Sequence, residues 1–265
     1  MKVFLSESRP HYDSYTFNYA IYAILEKWDK LDEIYQKGFL PYSGDYEIED
    51  VLFYRCRSLR IKLDSWLPNS ENRRLMRKVE WNITYQIIAK EDFDFHDPRF
   101  VNLCIDYAKK KIGEVYFPEE RLYYIISRDI FNKVIVYSID WKQVWYVFAC
   151  FGEKMIHHRF AFYDLEMLDV LPLGKIEMQY TIILGKELGM DHVYLWTCYK
   201  TTALYKVRDF DSCERRDGNQ RSQDIHTLKS LCKRDEISHD QDYFKLLSYD
   251  DKSKLLEEVK GINII

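Results

Sequence analysis

Apolar side chains recur three and four apart in "KLDEIYQKGF", residues 30 to 39, at Leu31, Ile34 and Tyr35, and the run stops at Gly38. That spacing predicts a short helix with a glycine stop. Turn formers Pro41, Gly44 and Asp45 follow, and then "VLFYRCRSLRIKL", residues 51 to 63, reads as one strand of branched and aromatic side chains. "PNSENRRLMRK", residues 68 to 78, predicts a helix capped by Ser70, with Glu71 in its first turn. Asp97 before Pro98 opens a further helix, in which Phe100, Leu103, Cys104, Tyr107, Ala108, Lys111 and Ile112 recur until Gly113.

Further on the period changes. "YYIISR", "KVIVYSI", "VWYVFACF" and "MIHHRFAFYD" are short, branched and aromatic, and a "GEK" turn joins the last two. They predict an antiparallel sheet. "LGKIEMQYTIILGKELG" then places Ile176, Tyr180, Ile183 and Leu188 on one face of a helix that closes at Gly189 and leads into a strand, "DHVYLWT". Strands, a helix and one more strand make an α+β layer fold. Residues 209 to 242 are polar and predict an exposed loop region with at least one short helix, and "YDDKSKLLEEVKG" predicts an amphipathic helix. No internal repeat is visible.

Composition narrows the class. The 265 residues are 47% hydrophobic and 16% aromatic, enough to fill a sizeable core in one large or two modest domains. The longest apolar runs, at 19 to 25 and 144 to 151, fall short of the roughly 18 to 20 residues that span a bilayer. The first residues lack the apolar stretch of an export signal, so a cytoplasmic location is expected. Six cysteines without paired spacing read as reduced thiols.

Charge is unevenly spread. Between residues 54 and 78 stand Arg55, Arg57, Arg60, Lys62, Arg73, Arg74, Arg77 and Lys78 against Asp64 and Glu71, a local balance of +6 in a chain of net charge −4. With Tyr54, Trp66 and Trp81 close by, this is a footprint that suits a polyanion, and it equally suits a helix face paired with carboxylates elsewhere in the fold. No P-loop or G-x-G-x-x-G pattern is present, which argues against nucleotide-triphosphate chemistry. No G-x-S-x-G elbow or cysteine-protease signature appears. His157 and His158, adjacent on a predicted strand, point to opposite faces and read as sheet residues with no metal role.

Two blocks carry a family resemblance. In the first, Gly38, Phe39, Ser43, Gly44, Arg60, Trp66, Pro68, Ser70, Arg73 and Arg74 follow the order of the amino-terminal signature of the aminoacyl-tRNA–protein transferases, with Asn72 where glutamine is usual. In the second, Phe162, Tyr163, Asp164, Leu173, Gly174, Leu188, Gly189, Tyr194, Leu195, Tyr205, Lys206 and Arg208 keep the order of that family's later motifs. The chain thus resembles the arginyl- and leucyl-transferases of the N-degron pathway over roughly 38 to 78 and 162 to 210.

The resemblance implies an acetyltransferase-like (GNAT) mixed, mainly antiparallel sheet flanked by helices, with a smaller N-terminal α/β region. The domains expected are 1–80, carrying the basic strand and helix, and 81–265, carrying the transfer fold. Arginine or leucine would pass from aminoacyl-tRNA to the N-terminal amine of acceptor proteins that begin with Asp or Glu. The resemblance gives Asp164 the grip on an ammonium group or proton removal, and Tyr205 donation to the departing ribose oxygen. Arg55, Arg57 and Arg60 would read the acidic acceptor, with Tyr194 beside the pocket. Arg73, Arg74, Arg77, Lys78, Lys206 and Arg208 would bind tRNA.

Two departures matter. The family's cysteine cluster falls on Asp50, Phe53 and Cys56, so no metal or cofactor is expected. Trp196 stands where the family has glycine after Tyr-Leu. Two other readings stay open: an acyl-CoA-dependent N-acyltransferase of the same fold, and a relative that binds tRNA or degrons without turnover.

Overall fold

The computed structural model describes residues 1–7, 19–26, 31–44, 48, 50–79, 83–113, 117–167, 172–217, 220–236 and 248–261. The chain divides into two compact units. The first is Met1–Ser58, Thr197–Ala203 and Arg215–Ile265, and the second is Leu59–Trp196 and Leu204–Glu214. The division falls inside the basic stretch, whereas the expected boundary at residue 80 lies within the second unit. Trp81 and residues 237 to 242 lie outside the described residues.

In the first unit, β1 (Lys2–Glu7), β2 (Tyr19–Ile24), β3 (Phe39–Pro41) and β4 (Leu52–Arg55) form an antiparallel sheet in the order β1-β2-β4-β3. Its core holds Phe4, Tyr22, Ile24, Tyr42, Ile48 and Leu52. Helix α1 (Leu31–Gln36) buries Ile34 and Tyr35 as the spacing predicts, and ends before Gly38, whose φ of +89° is one that glycine adopts without strain.

The strand expected over 51 to 63 is two strands, because Cys56 and Arg57 interrupt β4 and β5 (Ser58–Lys62). A nearby turn of the amide chain accounts for the break: Cys56 N–H donates to Gly38 O at 3.2 Å and Ser58 N–H to Cys56 O at 2.8 Å.

The second unit is built on α2 (Ser70–Val79), β6 (Ile83–Ala89), α3 (Pro98–Lys111), α4 (Glu119–Ser127), β7 (Lys133–Ile139), β8 (Lys142–Phe151), β9 (Met155–Tyr163), α5 (Leu173–Glu187), β10 (His192–Thr197) and α6 (Tyr205–Arg208). Its strands run in the order β5-β10-β9-β8-β7-β6. From β6 to β9 all pairing is antiparallel, and β10 returns parallel to β9 after α5. This is the mixed α+β sheet, mostly antiparallel and flanked by helices, that the residues and the resemblance both lead one to expect.

Alternation of side chains divides the helices between the two sheet faces. Tyr146, Phe148 and Phe162 meet α3 through Phe100 and Tyr107, while Trp145 and Tyr137 lie toward Tyr180 of α5. Asp97 caps α3 by accepting from Arg99 N–H, and Pro98 opens it, as its sequence dictates.

Three local expectations are corrected. "YYIISR" is not a strand but the end of α4, because Leu122 and Ile125, three apart, bury together after Pro118. Asn69, not Ser70, caps α2: its Oδ1 accepts from Asn72 N–H at 2.9 Å while Asn72 Oδ1 accepts from Asn69 N–H at 3.1 Å. Helix α5 buries residues around most of its circumference, among them Ile176, Glu177, Gln179, Ile182 and Leu184, and leaves Leu188 exposed.

The late polar region carries more order than expected. Cys213–Asp217 is a strand, β11, of which Arg215–Asp217 pair with β12 (Gln220–Ser222) in the first unit. Helices α7 (Ile225–Arg234) and α8 (Tyr249–Gly261) follow in that unit, and Leu256 of α8 joins the core of its four-stranded sheet.

Candidate functional site

The feature of the second unit that most suits chemistry is the place where β9 and β10 stop pairing. Their parallel register holds only from His192 and Met155 to Tyr194 and His157, although β9 continues to Tyr163 and β10 to Thr197. At the same level β9 is bulged. Phe148 faces Phe160 and Ala149 faces His158, so Arg159 has no counterpart on β8.

The side chains of Phe160 and Trp196 bridge the parting, with ring centroids 5.2 Å apart, and the Arg159 guanidinium lies over both rings at 5.0 and 5.7 Å. Trp196 has φ +71°, in the left-handed region that favours glycine. The backbone there is one that glycine adopts without strain, with an indole added.

Helix α6 adds two of the residues singled out from sequence. The charge of Lys206 acts on His157, whose pKa is held well below 6.5 by burial first and then by Arg159, His158 and Lys206. Tyr205, partly exposed, acts on Tyr107. Burial raises the Tyr107 hydroxyl, with Tyr163 and Glu177 adding to the shift, so it stays a protonated donor or acceptor at neutral pH. Tyr194 is a core residue, 1% exposed, with its hydroxyl 3.5 Å from Arg60 Nη1.

A buried polar group lies behind the parting. His158 Nδ1 is 3.0 Å from Thr181 Oγ1, and Thr181 Oγ1 donates to Glu177 O at 3.0 Å. With that hydroxyl hydrogen committed, Nδ1–H is the donor to Thr181, and Nε2 faces Glu177 Oε1 at 3.8 Å. Glu177 is 5% exposed, and burial raises its carboxyl above the ordinary range against the hydrogen bond and charge of His158. Its Oε2 has no hydrogen-bond partner among the described residues. Sequence reading missed this group, although one signal was there: a carboxylate between Ile176 and Met178 in an apolar run of α5.

Asp164, the other residue singled out for chemistry, ends β9 at the mouth of a cavity of about 560 Å³. It accepts from Lys142 Nζ at 2.8 Å and from Glu166 N–H at 3.0 Å. Burial would raise its carboxyl, but those hydrogen bonds and the lysine charge outweigh it and hold the group below the usual aspartate value. Asp164 is thus an ionised anchor of the turn at Leu165–Met167, better suited to holding a cation than to taking a proton.

The basic stretch is less available than its composition suggests. In the first unit Arg57 is 2.6 Å from Asp235, and Arg55 is half-buried at the end of β4. In the second unit Arg60 is 2.8 Å from Glu214, Lys62 3.0 Å from Asp64 and Arg74 2.7 Å from Glu71. Arg57 and Arg60, expected to read an acidic acceptor, are only about an eighth exposed and already serve carboxylates of the chain.

What remains is the outer face of α2. Arg73, Arg74, Arg77 and Lys78 are exposed there while Asn72 and Leu75 turn inward. Asn72 Nδ2 donates to Asp209 O at 3.0 Å, and Asp209 also pairs with Lys175 at 2.8 Å and Arg208 at 2.7 Å. Asp209 thus gathers three helices, its main-chain oxygen holding the start of α2 and its carboxylate the start of α5 and the end of α6.

At the three positions matched to a cysteine cluster, Asp50 pairs with Lys260 at 2.9 Å, Phe53 packs edge-on to Tyr35, and burial pushes the Cys56 thiol up to about 12.

No protein-family model matches the chain, and no curated protein matches it. Among solved structures it is similar to L-PGS from Bacillus licheniformis, at 13% identity over 63% of this chain and 51% of that one, with a TM-score of 0.38. It is also similar to the C-terminal domain (DUF2156) of an Agrobacterium fabrum protein named for lysylphosphatidylglycerol synthetase, at 10% identity over 89% and 72%, with a TM-score of 0.37. A third likeness is to a GCN5-related glucosamine N-acetyltransferase region of a fungal β-N-acetylglucosaminidase, at 13% identity over 62% and 20%, with a TM-score of 0.36. The chain spans about half the length of the Bacillus protein. These are likenesses of outline, and the reading below stands on this chain's own residues. Among the described residues no helix is long and apolar enough to cross a membrane.

Proposed function

We propose that the protein is an aminoacyltransferase that takes arginine or leucine from aminoacyl-tRNA and delivers it to the N-terminal amine of an acceptor protein. The observation that carries the reading is the parting of β9 and β10 at a bulge, with Lys206 acting on one side of it and the Glu177–His158 group buried behind it. An aminoacyl ester is already activated, so the site needs to hold the carbonyl, stabilise a developing oxyanion and accept one proton. Arg159 supplies fixed positive charge. Glu177, facing His158 at 3.8 Å, supplies a proton acceptor whose hold on a proton is strengthened by burial.

In this reading Arg73, Arg74, Arg77 and Lys78 on α2 meet the phosphates of the tRNA acceptor end, and Lys206 and Arg208 extend that contact. Tyr205 is assigned donation to the departing ribose oxygen. The test is transfer of a labelled aminoacyl group from charged tRNA to a peptide with a free N-terminus. Absence of transfer with every common aminoacyl group would refute it, and thermal stabilisation by coenzyme A but not by tRNA would favour the acyl-CoA reading.

One observation favours a binder without turnover: Trp196, Phe160 and Arg159 fill the parting that a substrate would enter. The two readings separate on whether removal of the Trp196 indole creates or raises transfer.

A further inference from the structure

The cavity at the end of β9 is not used by the carbonyl chemistry described above, and its lining is of an unusual kind. It lies between α3, the β7–β8 turn and the turn after β9, and its volume of about 560 Å³ suits a ligand of dipeptide size. Three aromatic rings line it, those of Trp141, Tyr146 and Tyr163, together with three carboxylates, Asp106, Asp164 and Glu166.

Two cations also reach it, but each is already neutralised: Lys142 by Asp164 and Arg99 by Asp97. Asp106 and Glu166 stand exposed, and Glu166 comes no closer than 4.0 Å to Lys142. Trp141 is 92% exposed, so an indole face stands in water at the rim. Aromatic faces with carboxylates between them attract an organic cation through both the ring quadrupole and the charge. An anion would meet a net charge of −1 there.

We infer that this cavity binds the N-terminal ammonium end of a peptide, with Asp106 and Glu166 holding the charge beside the Lys142–Asp164 pair and Trp141 closing over the first side chain. The inference rests on the transferase reading for its choice of ligand, since it names the seat of the acceptor. An α-amine, with an ordinary pKa of about 7.7 to 8.0, is the protein amine that is cationic enough to be held here and still gives up its proton most readily for attack. A first residue of Asp or Glu is disfavoured by the same carboxylates, whereas an uncharged or basic one is accepted.

The test measures binding without tRNA, by titration calorimetry of the full chain. The probes are alanyl-phenylalaninamide, its N-acetyl form, and Nα-acetyl-lysinamide, which carries only a side-chain amine. The α-amine dipeptide should bind at least tenfold more tightly than either other probe. D106N/E166Q, which changes only exposed side chains, should weaken it about fivefold or more, and W141A should do likewise.

Equal binding of the acetylated dipeptide, or unchanged binding in both variants, overturns the site. Tighter binding of the lysine probe overturns the α-amine assignment. Binding as expected with no transfer leaves the site standing and removes the transferase reading. Transfer with a peptide KM unaltered in D106N/E166Q does the reverse.

Discussion

Replacing Trp196 probes the backbone and the parting together. The indole is half-buried, with the Phe160 ring at 5.2 Å, the His157 ring at 6.2 Å and the Arg159 guanidinium at 5.7 Å. An aromatic pair contributes about 0.5 to 1.5 kcal/mol and a cation over a ring about 0.5 to 1 kcal/mol, so losing the indole should cost roughly 1 to 2.5 kcal/mol. Alanine and glycine both remove it but differ in backbone. At φ +71° alanine retains a left-handed strain of about 1 to 2 kcal/mol that glycine lacks, and glycine loses about 0.4 to 1 kcal/mol more conformational entropy on folding. W196G should therefore be more stable than W196A by about 0.5 to 1 kcal/mol. The assay is urea unfolding followed by circular dichroism, comparing midpoints at constant slope. W196A equal to or more stable than W196G would refute the left-handed geometry, and with it the claim that glycine suits this backbone.

Three further outcomes are expected. Because burial raises Glu177 in the folded chain, the folded state holds its proton above the unfolded value of about 4.3, and wild-type stability should fall as pH rises through that interval. E177Q should lack this decline, so its stability relative to wild type should improve with pH in thermal unfolding series, and parallel curves would contradict the burial argument. N72A removes the reciprocal cap with Asn69 and the bond to Asp209 O, and should destabilise by about 1 to 3 kcal/mol in chemical denaturation, against less than about 0.5 kcal/mol for the exposed change K78A. R73E/R77E should weaken tRNA binding in filter assays and flatten the slope of log affinity against log salt by about 1 to 2, whereas an unchanged slope would remove α2 from the tRNA contact.

The elements legible from sequence were those whose signal is local. Asp97 and Pro98 fix the start of α3, Gly38 and Gly189 stop α1 and α5, and the alternation in residues 133 to 163 gives β7 to β9. Where tertiary contact decides, the sequence misleads. "YYIISR" has strand composition, yet Leu122 and Ile125 find their partners only as a helix. The cluster of arginines left open whether carboxylates elsewhere in the fold pair with it, because Asp235 and Glu214, which engage Arg57 and Arg60, are more than 150 residues away.

The candidate site shows the same division. Asp164, Tyr205 and Lys206 were marked by order and type, and they stand near a cavity or the strand parting. The Glu177, His158 and Thr181 group depends on a helix packing over a sheet, and no spacing along the chain announces it. No motif or spacing singles out Trp141, and its exposure at a cavity lined by three carboxylates is visible only in the fold.

The most direct measurement is mass spectrometry of a free-amine model peptide after exposure to the protein and a pool of charged tRNAs. The account predicts a peptide heavier by one arginine or leucine residue, modified at its N-terminus, with the N-acetyl peptide untouched. A peptide of unchanged mass with every charged tRNA present would contradict it.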